Sequence, residues 1–555
     1  MNKKILIIGG VAAGTKAASK VKRDFPDSQV TIITKGEHIS YAGCGLPYFL
    51  GKVIKEKKEL VVRTPEEFKN EQGIDVLVKH EAVKVLPEEK KVIVKNLETG
   101  EEKEFEYDKL VLATGADPFI PPIKGVDLEN IFTLRTVTDA LKIRKLLDEG
   151  KVKKAVIVGA GLIGLETAEN LTHRGVKVSV IELLDQILPP FDREIALLAQ
   201  KHLNEKGVDI HTSEKVTSFV KNENSKEIIV KTDKGEIPAD LVIMSVGVRP
   251  NIKLAKDMGL KIGKTGAIKV NEFMETSMPD IYAVGDCAES KNVINNEPAW
   301  IPLGSTANKA GRTTGLNLMG TNKNSFKGVL GTSIVKLFDL NLAKTGLSEK
   351  DAAKYGFDIE TVIVPAFDKA HYFPGNKLII TKLIADKKDH RVLGAQIIGE
   401  GVVDKPIDII ATAIHFGAKV EDLTQLDLAY APPFSMAVAS TITAAHVMLN
   451  KLEGKVKTVK AHEILDKLND ENVQVIDIRE EPEFIIRSIP GSINIPQTEL
   501  LKRAASLGLD RNKETILVCK VGKRAYMTYC TLKYLGFDKV SILEGGITAY
   551  PFELE

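Results

Sequence analysis

The stretch KAVIVGAGLIGLETAENLTHRGVKVSVIE, Lys154 to Glu182, decides the fold. An apolar run, a glycine turn, an amphipathic helical period and a second apolar run make one βαβ unit. In its spacing Gly159-x-Gly161-x-x-Gly164 each glycine has its own task. The first allows a tight turn, the second lets a pyrophosphate approach the backbone, and the third lets the helix pack close to the strand. The helix N-terminus then offers free N–H groups to the phosphates. Glu182 ends the second strand, where a carboxylate accepts from ribose hydroxyls and repels a 2′-phosphate, so NADH is expected over NADPH.

The same device opens the chain, in KILIIGGVAAGTKAASKVKRDFPDSQVTIIT, Lys4 to Thr34. Gly9 and Gly14 keep the outer glycine positions, Val11 replaces the middle one, and Thr34 stands where the ribose acid would be. Two βαβ units imply two nucleotide sites. The start, MNKKILIIGGVAAG, reads as a buried strand and not a signal peptide, because its apolar run is short, β-branched and ends in turn glycines. Further apolar strands end in glycine at 107–118, 239–251 and 276–289. In the last of these, Asp286 beside Gly285 suits either a ribityl hydroxyl or a helix N-cap.

A chain of 555 residues requires several domains. Its 43% hydrophobic and 27% charged residues are those of a soluble globular protein. The net charge of +2 comes from 77 basic and 75 acidic side chains that are mixed along the sequence, which argues against nucleic acid as a partner. Four cysteines without regular spacing make no disulfide framework, so a reducing compartment, the cytoplasm, is expected, and no metal centre. The segment from Leu428 to Leu449 has no Asp, Glu, Lys or Arg, yet Pro432-Pro433 and its Ser, Thr and His residues indicate a buried interface helix after a proline turn and no membrane span.

After the lysine-rich NKLEGKVKTVK, residues 450–460, a compact α/β pattern restarts. VQVIDIRE reads as a buried strand, and TILVCKVGKRAYMTYCTLKYLGF, residues 515–537, as strand, loop and helix. The loop Cys519-Lys520-Val521-Gly522-Lys523-Arg524 aims successive N–H groups at one point, and its three cations add positive charge. A thiol there is expected to ionise readily and act as a nucleophile. Cys530, on the following helix, reads as a small apolar residue.

Near the N-terminus, ISYAGCGLPY (Ile39 to Tyr48) places Cys44 in a glycine-rich turn, and no second cysteine occurs before Asp286. Cys44 must therefore cycle against an external group, as a mixed disulfide, a persulfide or a sulfenic acid. Pro47 suits the first turn of a helix, which puts Cys44 just before an N-terminus whose partial positive charge favours thiolate.

The paired βαβ units, Ala113-Thr114-Gly115, VGVRPN and AVGDCAE, in this order, resemble the two-dinucleotide flavoprotein disulfide reductases. That resemblance implies an FAD domain at 1–115 and 246–325, an inserted NAD domain at 116–245, and a dimerisation domain at 326–450. A linker, 451–460, would lead to a last domain at 461–555. The last domain resembles a single-domain rhodanese in its DIRE strand, its IPG-x-INIP turn, its Cys-x-x-Gly-x-Arg loop and the closing EGGITAY, although Arg487-Ser488 replaces the usual Gly-His. It implies a persulfide carried on Cys519. The fold class expected is α/β, with two Rossmann-like dinucleotide-binding domains, an α+β dimerisation domain and a C-terminal rhodanese domain.

The Cys44 stretch is similar to the Ser-[Phe/Tyr]-Ala-Asn-Cys-x-Leu-Pro-Tyr signature of coenzyme A-disulfide reductases and their fused relatives, the NADH-dependent persulfide reductases, with Gly43 in place of the asparagine. The resemblance implies that Tyr372 and Tyr430 line the disulfide site, Tyr430 reaching it from the other subunit of a homodimer. It also implies that Arg23, Ser40, Asn308 and Arg312 contact coenzyme A. Thr114, Gly115, Gly285, Asp286 and Ala307 would contact FAD, and Leu162 stands where many relatives have an aromatic over the flavin. The implied activity is FAD-dependent, NADH-driven reduction of coenzyme A persulfide, polysulfide or coenzyme A disulfide. Two alternatives are an NADH oxidase or peroxidase using a Cys44 sulfenic acid, and a sulfurtransferase or redox sensor with a regulatory flavin module.

Overall fold

The computed structural model describes residues 3–222, 227–320, 324–503 and 509–555. The chain forms two compact units, Met1–Asp185 with Gly207–Gly331, and Gln186–Lys206 with Thr332–Glu555.

The first unit contains the two expected nucleotide folds. Strands β1 (Lys4–Ile8), β2 (Gln29–Ile33), β3 (Ile74–Leu77) and β4 (Lys109–Leu112) belong to one sheet. Strands β5 (Ile131–Thr133), β6 (Lys154–Val158), β7 (Lys177–Ile181), β8 (Asp209–His211) and β9 (Leu241–Met244) form the second, and β10 (Ile281–Ala283) returns to complete the first. In the spatial orders β10-β4-β1-β2-β3 and β5-β9-β6-β7-β8 the last four strands are arranged alike, while the outer strand β10 comes last in sequence in its sheet and β5 first in its own; every pairing is parallel. Parallel strands are covered on both faces and so read as continuous apolar runs, which is why Ile5, Ile7, Ile32, Val111, Val156, Ile181 and Val242 are all buried. Helix α1 (Ala13–Asp24) connects β1 to β2, while β4 lies on the other side of β1. This reversal opens a crevice at the carboxyl ends of the strands, where ligands of such sheets bind.

Short α2 (Leu46–Leu50), α3 (Val137–Asp148) and α4 (Leu162–His173), which connects β6 to β7, follow in the first unit; α5 (Arg193–Glu205) belongs to the second, and α6 (Gly304–Asn317) packs along α1. Val11 does not prevent the first turn from forming: Gly9 has φ +117° and Gly159 φ +104°, a region open to glycine and costly for other residues.

The second unit contains an antiparallel sheet of β11 (Ser333–Leu337), β12 (Leu340–Gly346), β13 (Ile359–Phe367), β14 (Leu378–Asp386) and β15 (Val392–Gly399), in the order β11-β12-β15-β14-β13. Helix α7 (Ser440–Leu452) covers β13 and β14. The helix expected after the proline turn accordingly begins at Ser440, while 428–439 takes an irregular path because Pro432 and Pro433 lack the N–H groups a helix needs. A parallel sheet follows, of β16 (Thr458–Val459), β17 (Val473–Asp477), β18 (Ile493–Asn494), β19 (Glu514–Val518) and β20 (Val540–Leu543), in the order β16-β20-β19-β17-β18. Helices α8 (Glu481–Ile486) and α9 (Lys523–Tyr534) belong to it. Within the expected linker 453–457 and Lys460 lie outside helix and strand, since α7 ends at Leu452 and β16 spans Thr458–Val459.

A charged cluster lies within the second unit. Lys382, on β14, is fully buried, with its Nζ 3.0 Å from Asp192, 3.0 Å from Glu194 and 2.6 Å from Glu349. Lys460, which precedes the first helical turn of the C-terminal domain, also pairs with Glu349 at 2.8 Å. Lys451 joins Glu360 of β13 to Glu544, which follows β20. Although burial raises the Glu349 carboxyl, the charges of Lys382 and Lys460 outweigh it and hold the pKa at about 2. Burial raises the Asp192 carboxyl, Lys382 opposes the rise, and Glu349 and Glu194 add to it.

Removing one partner of a buried ion pair leaves an uncompensated charge and costs about 3–5 kcal/mol. Lys382→Met is expected to lower the first thermal transition seen by calorimetry, because it strands Asp192 and Glu194. The Glu349 contribution, from a depressed carboxyl, is complete above the ordinary carboxylate range and is lost as pH falls from there towards 2. Wild type and Glu349→Gln should therefore converge in stability under acid titration.

Candidate active site

The chain leaves β2 and reaches a single 3₁₀ turn, Gly43–Gly45, that contains Cys44; α2 begins at Leu46 with Pro47 in its first turn, as expected. Ser40, just before, has φ +47°, a strained backbone for a residue with a side chain. The far end of α2 is held by two arginines: Arg144 of α3 donates to the Phe49 carbonyl, and Arg174, after α4, donates to that of Leu50 at 3.0 Å.

Cys44 is exposed and unpaired. Its thiol, however, is pushed up and not down. Desolvation by the surrounding chain comes first and the Glu166 carboxyl second; Arg135 opposes them and Asp286 adds to them. The expectation that a helix N-terminus would favour thiolate is thus corrected, because the five residues of α2 supply little dipole against two carboxyl groups. Glu166 lies on α4, bonded at 3.3 Å by the Tyr48 hydroxyl, and burial pushes its pKa up to about 7.

Both nucleotide turns fit a pyrophosphate. Helices α1 and α4 have no side-chain cap and no acid in their first turns, so their leading N–H groups remain for an anion. A side chain at Gly164 would sit 2.2 Å from the Gly159 carbonyl oxygen, whereas one at Gly161 would touch nothing within 4 Å. This is the division of tasks read from the spacing. Glu182 lies at the expected strand end, and its two carboxylate oxygens accept from Ala160 N at 2.7 Å and Leu184 N at 2.9 Å. The acid therefore braces the turn and keeps lone pairs for a ribose.

Thr114 and Gly115 follow β4, with Thr114 Oγ1 donating to the Asn251 carbonyl at 2.7 Å. Gly285 and Asp286 follow β10 in a 3₁₀ turn, and Ala307 of α6 is buried beside Gly285. Asp286 caps no α-helix; its carboxylate receives Arg135 Nη2 at 2.9 Å. Arg23, Asn308 and Arg312 do not converge on one point. They are exposed on α1 and α6, which run in the same direction with Gly311 against Ala13 and Gly315 against Ala17. The levels of Arg312 and Arg23 are therefore separated by about 13 Å of helix at 1.5 Å per residue. Arg23 Nε and Asn308 Nδ2 each donate to their own helix.

In the second unit, Tyr372 and Tyr430 are exposed, and their hydroxyls lie 3.5 Å apart although 58 positions separate them in sequence. Cys519 directly follows β19 and is 1% exposed, with its Sγ accepting from Gly522 N at 3.1 Å and Ala525 N at 3.4 Å. The expected nest is therefore present, with Gly522 at φ +92° making the turn. Val521 is half-buried, and Lys520 and Lys523 are exposed. The expected contribution of Arg524 is corrected: Glu483 of α8 holds it with two bonds of 2.8 Å, so its charge is balanced. The closing EGGITAY segment supports the loop from behind, with Ile547 N donating to the Cys519 carbonyl at 3.0 Å.

Sequence reasoning did not find Arg135, Glu166 or Glu483. Each acts on a partner distant in sequence, and only an acid on a mostly apolar helix, as at Glu166, hinted at one of them.

These surroundings rank the thiols. With iodoacetamide on the native protein, Cys44 and Cys530, both exposed, are expected to alkylate first, and buried Cys287 and Cys519 last, as read by peptide mass. A side chain at Gly546 would stand 2.2 Å from the Cys519 carbonyl oxygen, so Gly546→Ala should accelerate Cys519 alone.

Comparison with known proteins agrees with this geometry. The profile of the pyridine nucleotide-disulphide oxidoreductases matches residues 3–311, that of their dimerisation domain 332–442, and that of rhodanese-like domains 460–551. The chain is 42% identical over 447 residues to the NAD(P)H sulfur oxidoreductase (CoA-dependent) of Pyrococcus furiosus, which covers 80% of this chain and 99% of that protein. Two solved structures match nearly end to end, each with a TM-score of 0.93. Reduced Bacillus anthracis CoADR-RHD is 38% identical and covers 99% of this chain and 98% of that one. The NAD-dependent persulfide reductase from A. fulgidus is 41% identical and covers 99% and 100%. Among the described residues no helix is long and apolar enough to cross a membrane, and no group of His, Cys, Asp or Glu could hold a metal ion. With its first profile spanning more than half of the sequence, the chain belongs to the pyridine nucleotide-disulphide oxidoreductases, and it carries in addition their dimerisation domain and a rhodanese-like domain.

Proposed function

We propose that this enzyme uses NADH and FAD to reduce the sulfur–sulfur bond of a coenzyme A persulfide, a polysulfide or coenzyme A disulfide, with Cys44 as the redox thiol and Cys519 as a sulfane-sulfur carrier. The observation that carries this reading is the solitary, exposed Cys44, which has no second thiol to form an internal disulfide. When bound, FAD and NADH supply the electron pair. Gly9, Gly14, Thr114, Gly115, Gly285, Asp286 and Ala307 would hold the first nucleotide, and Gly159, Gly161, Gly164 and Glu182 the second.

The Cys44 thiolate attacks a substrate sulfur, one S–S bond breaks as another forms, and the departing thiol leaves as its anion. Two electrons delivered to the new S–S bond then return Cys44 as thiolate. Coenzyme A would lie along α1 and α6, where Arg23 and Arg312 are spaced for separate phosphate groups of one extended molecule, with Asn308 and Ser40 as amide and hydroxyl contacts. The Cys519 loop would hold a persulfide by its amides, and exposed Lys520 and Lys523 would attract an anionic donor. The relatives' names, the full-length structural matches and the presence of both thiols in one chain support sulfane sulfur as the substrate class.

Assembly as a cytoplasmic homodimer completes the reading. Tyr372, Tyr430 and Phe434 are exposed large aromatics of a domain type named for dimerisation, and the tyrosines would serve the other subunit's Cys44. The domain limits that go with it are 1–115 and 246–325 for FAD, 116–245 for NAD, 326–450 for dimerisation and 461–555 for the rhodanese-like part.

Anaerobic NADH oxidation with coenzyme A persulfide, coenzyme A disulfide, polysulfide or hydrogen peroxide tests the proposal. Wild type should turn over the sulfur substrates, Cys44→Ser none of them, and Cys519→Ser should lose turnover with polysulfide while keeping coenzyme A disulfide. Efficient turnover of peroxide alone would point to the oxidase or peroxidase alternative and sink the reading.

A further inference from the structure

Glu166 has no part in the steps above, yet it is built into the Cys44 site. Helix α4, which carries it, packs on α2, which starts directly after Cys44. The contact leaves no slack: a side chain at Gly51, at the end of α2, would stand 2.1 Å from Asn170 Oδ1 of α4. Cys44 and Tyr48 are four residues apart across the 3₁₀ turn and α2, and the Tyr48 hydroxyl donates to Glu166 Oε1 at 3.3 Å.

No Lys, Arg or His among the described residues forms an ion pair with Glu166. From α2 and its preceding turn it faces Tyr48 and Cys44, and on its own helix Glu169. The strands against α4 bring Lys154 and Lys177 only at their starts, the opposite end from the α4 N-terminus, and Lys154 is paired with Glu227. A carboxyl so placed keeps its proton to near neutrality, to about pH 7. After burial, the Glu166 carboxylate is the largest influence that raises the Cys44 thiol, with Arg135 opposing it and Asp286 adding to it, so a negative charge on Glu166 opposes ionisation of Cys44.

We propose that Glu166 and Cys44 hold one proton between them through Tyr48, and that this proton goes to the thiol released when the sulfur–sulfur bond at Cys44 is reduced. The inference rests on the reductase reading above. In balanced form, Cys44–S–S–R takes two electrons and one proton and gives Cys44–S⁻ and R–SH. The electrons come from NADH, which becomes NAD⁺. Tyr48 gives its hydroxyl proton to the leaving R–S⁻ and recovers one from Glu166. The proton set free from the hydride as its electron pair passes to sulfur restores Glu166. Glu166 acts through Tyr48 and is a positioning residue for that proton.

The test is the pH dependence of Cys44 alkylation by iodoacetamide, in a Cys530→Ser background and read by peptide mass, for wild type, Glu166→Gln, Glu166→Asp and Tyr48→Phe. Alkylation follows the thiolate. Wild type should rise with pH along a flattened curve near pH 7, where Glu166 ionises and holds the thiol back. Glu166→Gln should give a single steep titration and label faster at pH 8, by about tenfold for each pKa unit of repulsion removed. Glu166→Asp should restore the flattening. With coenzyme A disulfide, kcat/KM should fall as pH rises through 7 in wild type and be lower and flat there in both Glu166→Gln and Tyr48→Phe. A Glu166→Gln labelling curve that superposes on that of wild type would overturn the proton-sharing inference. Persistence of disulfide reduction in Cys44→Ser would overturn the reductase reading instead.

Discussion

The carbonyl oxygen of Ser245, just after β9, lies 2.4 Å from where a side chain at position 159 would be, and that of Ala113, after β4, lies 1.9 Å from the corresponding point at position 9. Each nucleotide turn is thus formed against the end of a strand about 90 to 100 residues away in sequence, and only a residue without a side chain allows that contact. Its placement fixes where α1 and α4 begin. Because those helices start at the strand ends with uncapped N–H groups, the anion sites, the path of α6 along α1, and the approach of α4 to α2 all follow from it.

The two thiols singled out for chemistry stand in opposite surroundings. Cys44 is exposed and faces carboxyl groups, so its charge is opposed until something compensates. Cys519 is buried, but two backbone amides already point at its sulfur. Amides stabilise a sulfur anion without titrating, whereas a carboxyl near neutrality responds to pH and to its neighbour's charge. The amides at Cys519 would suit a carrier of sulfur, and the carboxyl at Cys44 a thiol that must both accept electrons and release a product. Arg524 and Glu483 show the same economy: their bidentate bond orients the loop and, among the described residues, leaves Lys520 and Lys523 as its exposed cations without an ion pair.

In the second unit, the antiparallel sheet and the C-terminal domain are joined by more than chain. Lys460 bridges to Glu349 and so to buried Lys382, and Lys451 links Glu544 to β13. A side chain at Gly545 would stand 3.1 Å from Ile363 of β13. Ion pairs at such a boundary tolerate little displacement, because separating them leaves charges without partners in a poorly hydrated space. The C-terminal domain is thereby held against the sheet, and not suspended from a loose tether.

Much of this was legible in the residues. Apolar runs of strand length ending in glycine located both parallel sheets of the first unit, since buried parallel strands carry no alternation to obscure them. Spacing identified Gly159, Gly161 and Gly164, the Cys519 nest, and Pro47 at the start of α2. The acidity of Cys44 was misread, because a helix start is local and visible while Glu166 arrives on another helix 122 positions later. Arg135, Glu483 and the Lys382 cluster were invisible for the same reason: charged side chains are common, and nothing in their order says which of them meet. Sequence by itself determined the elements, the two turns, the solitary thiol and the family, all of which depend on short-range stereochemistry and composition. Which carboxyl faces Cys44, which cations remain free at Cys519 and which lysine is buried were decided only by tertiary structure, since desolvation and Coulomb energy depend on distance in space and not along the chain.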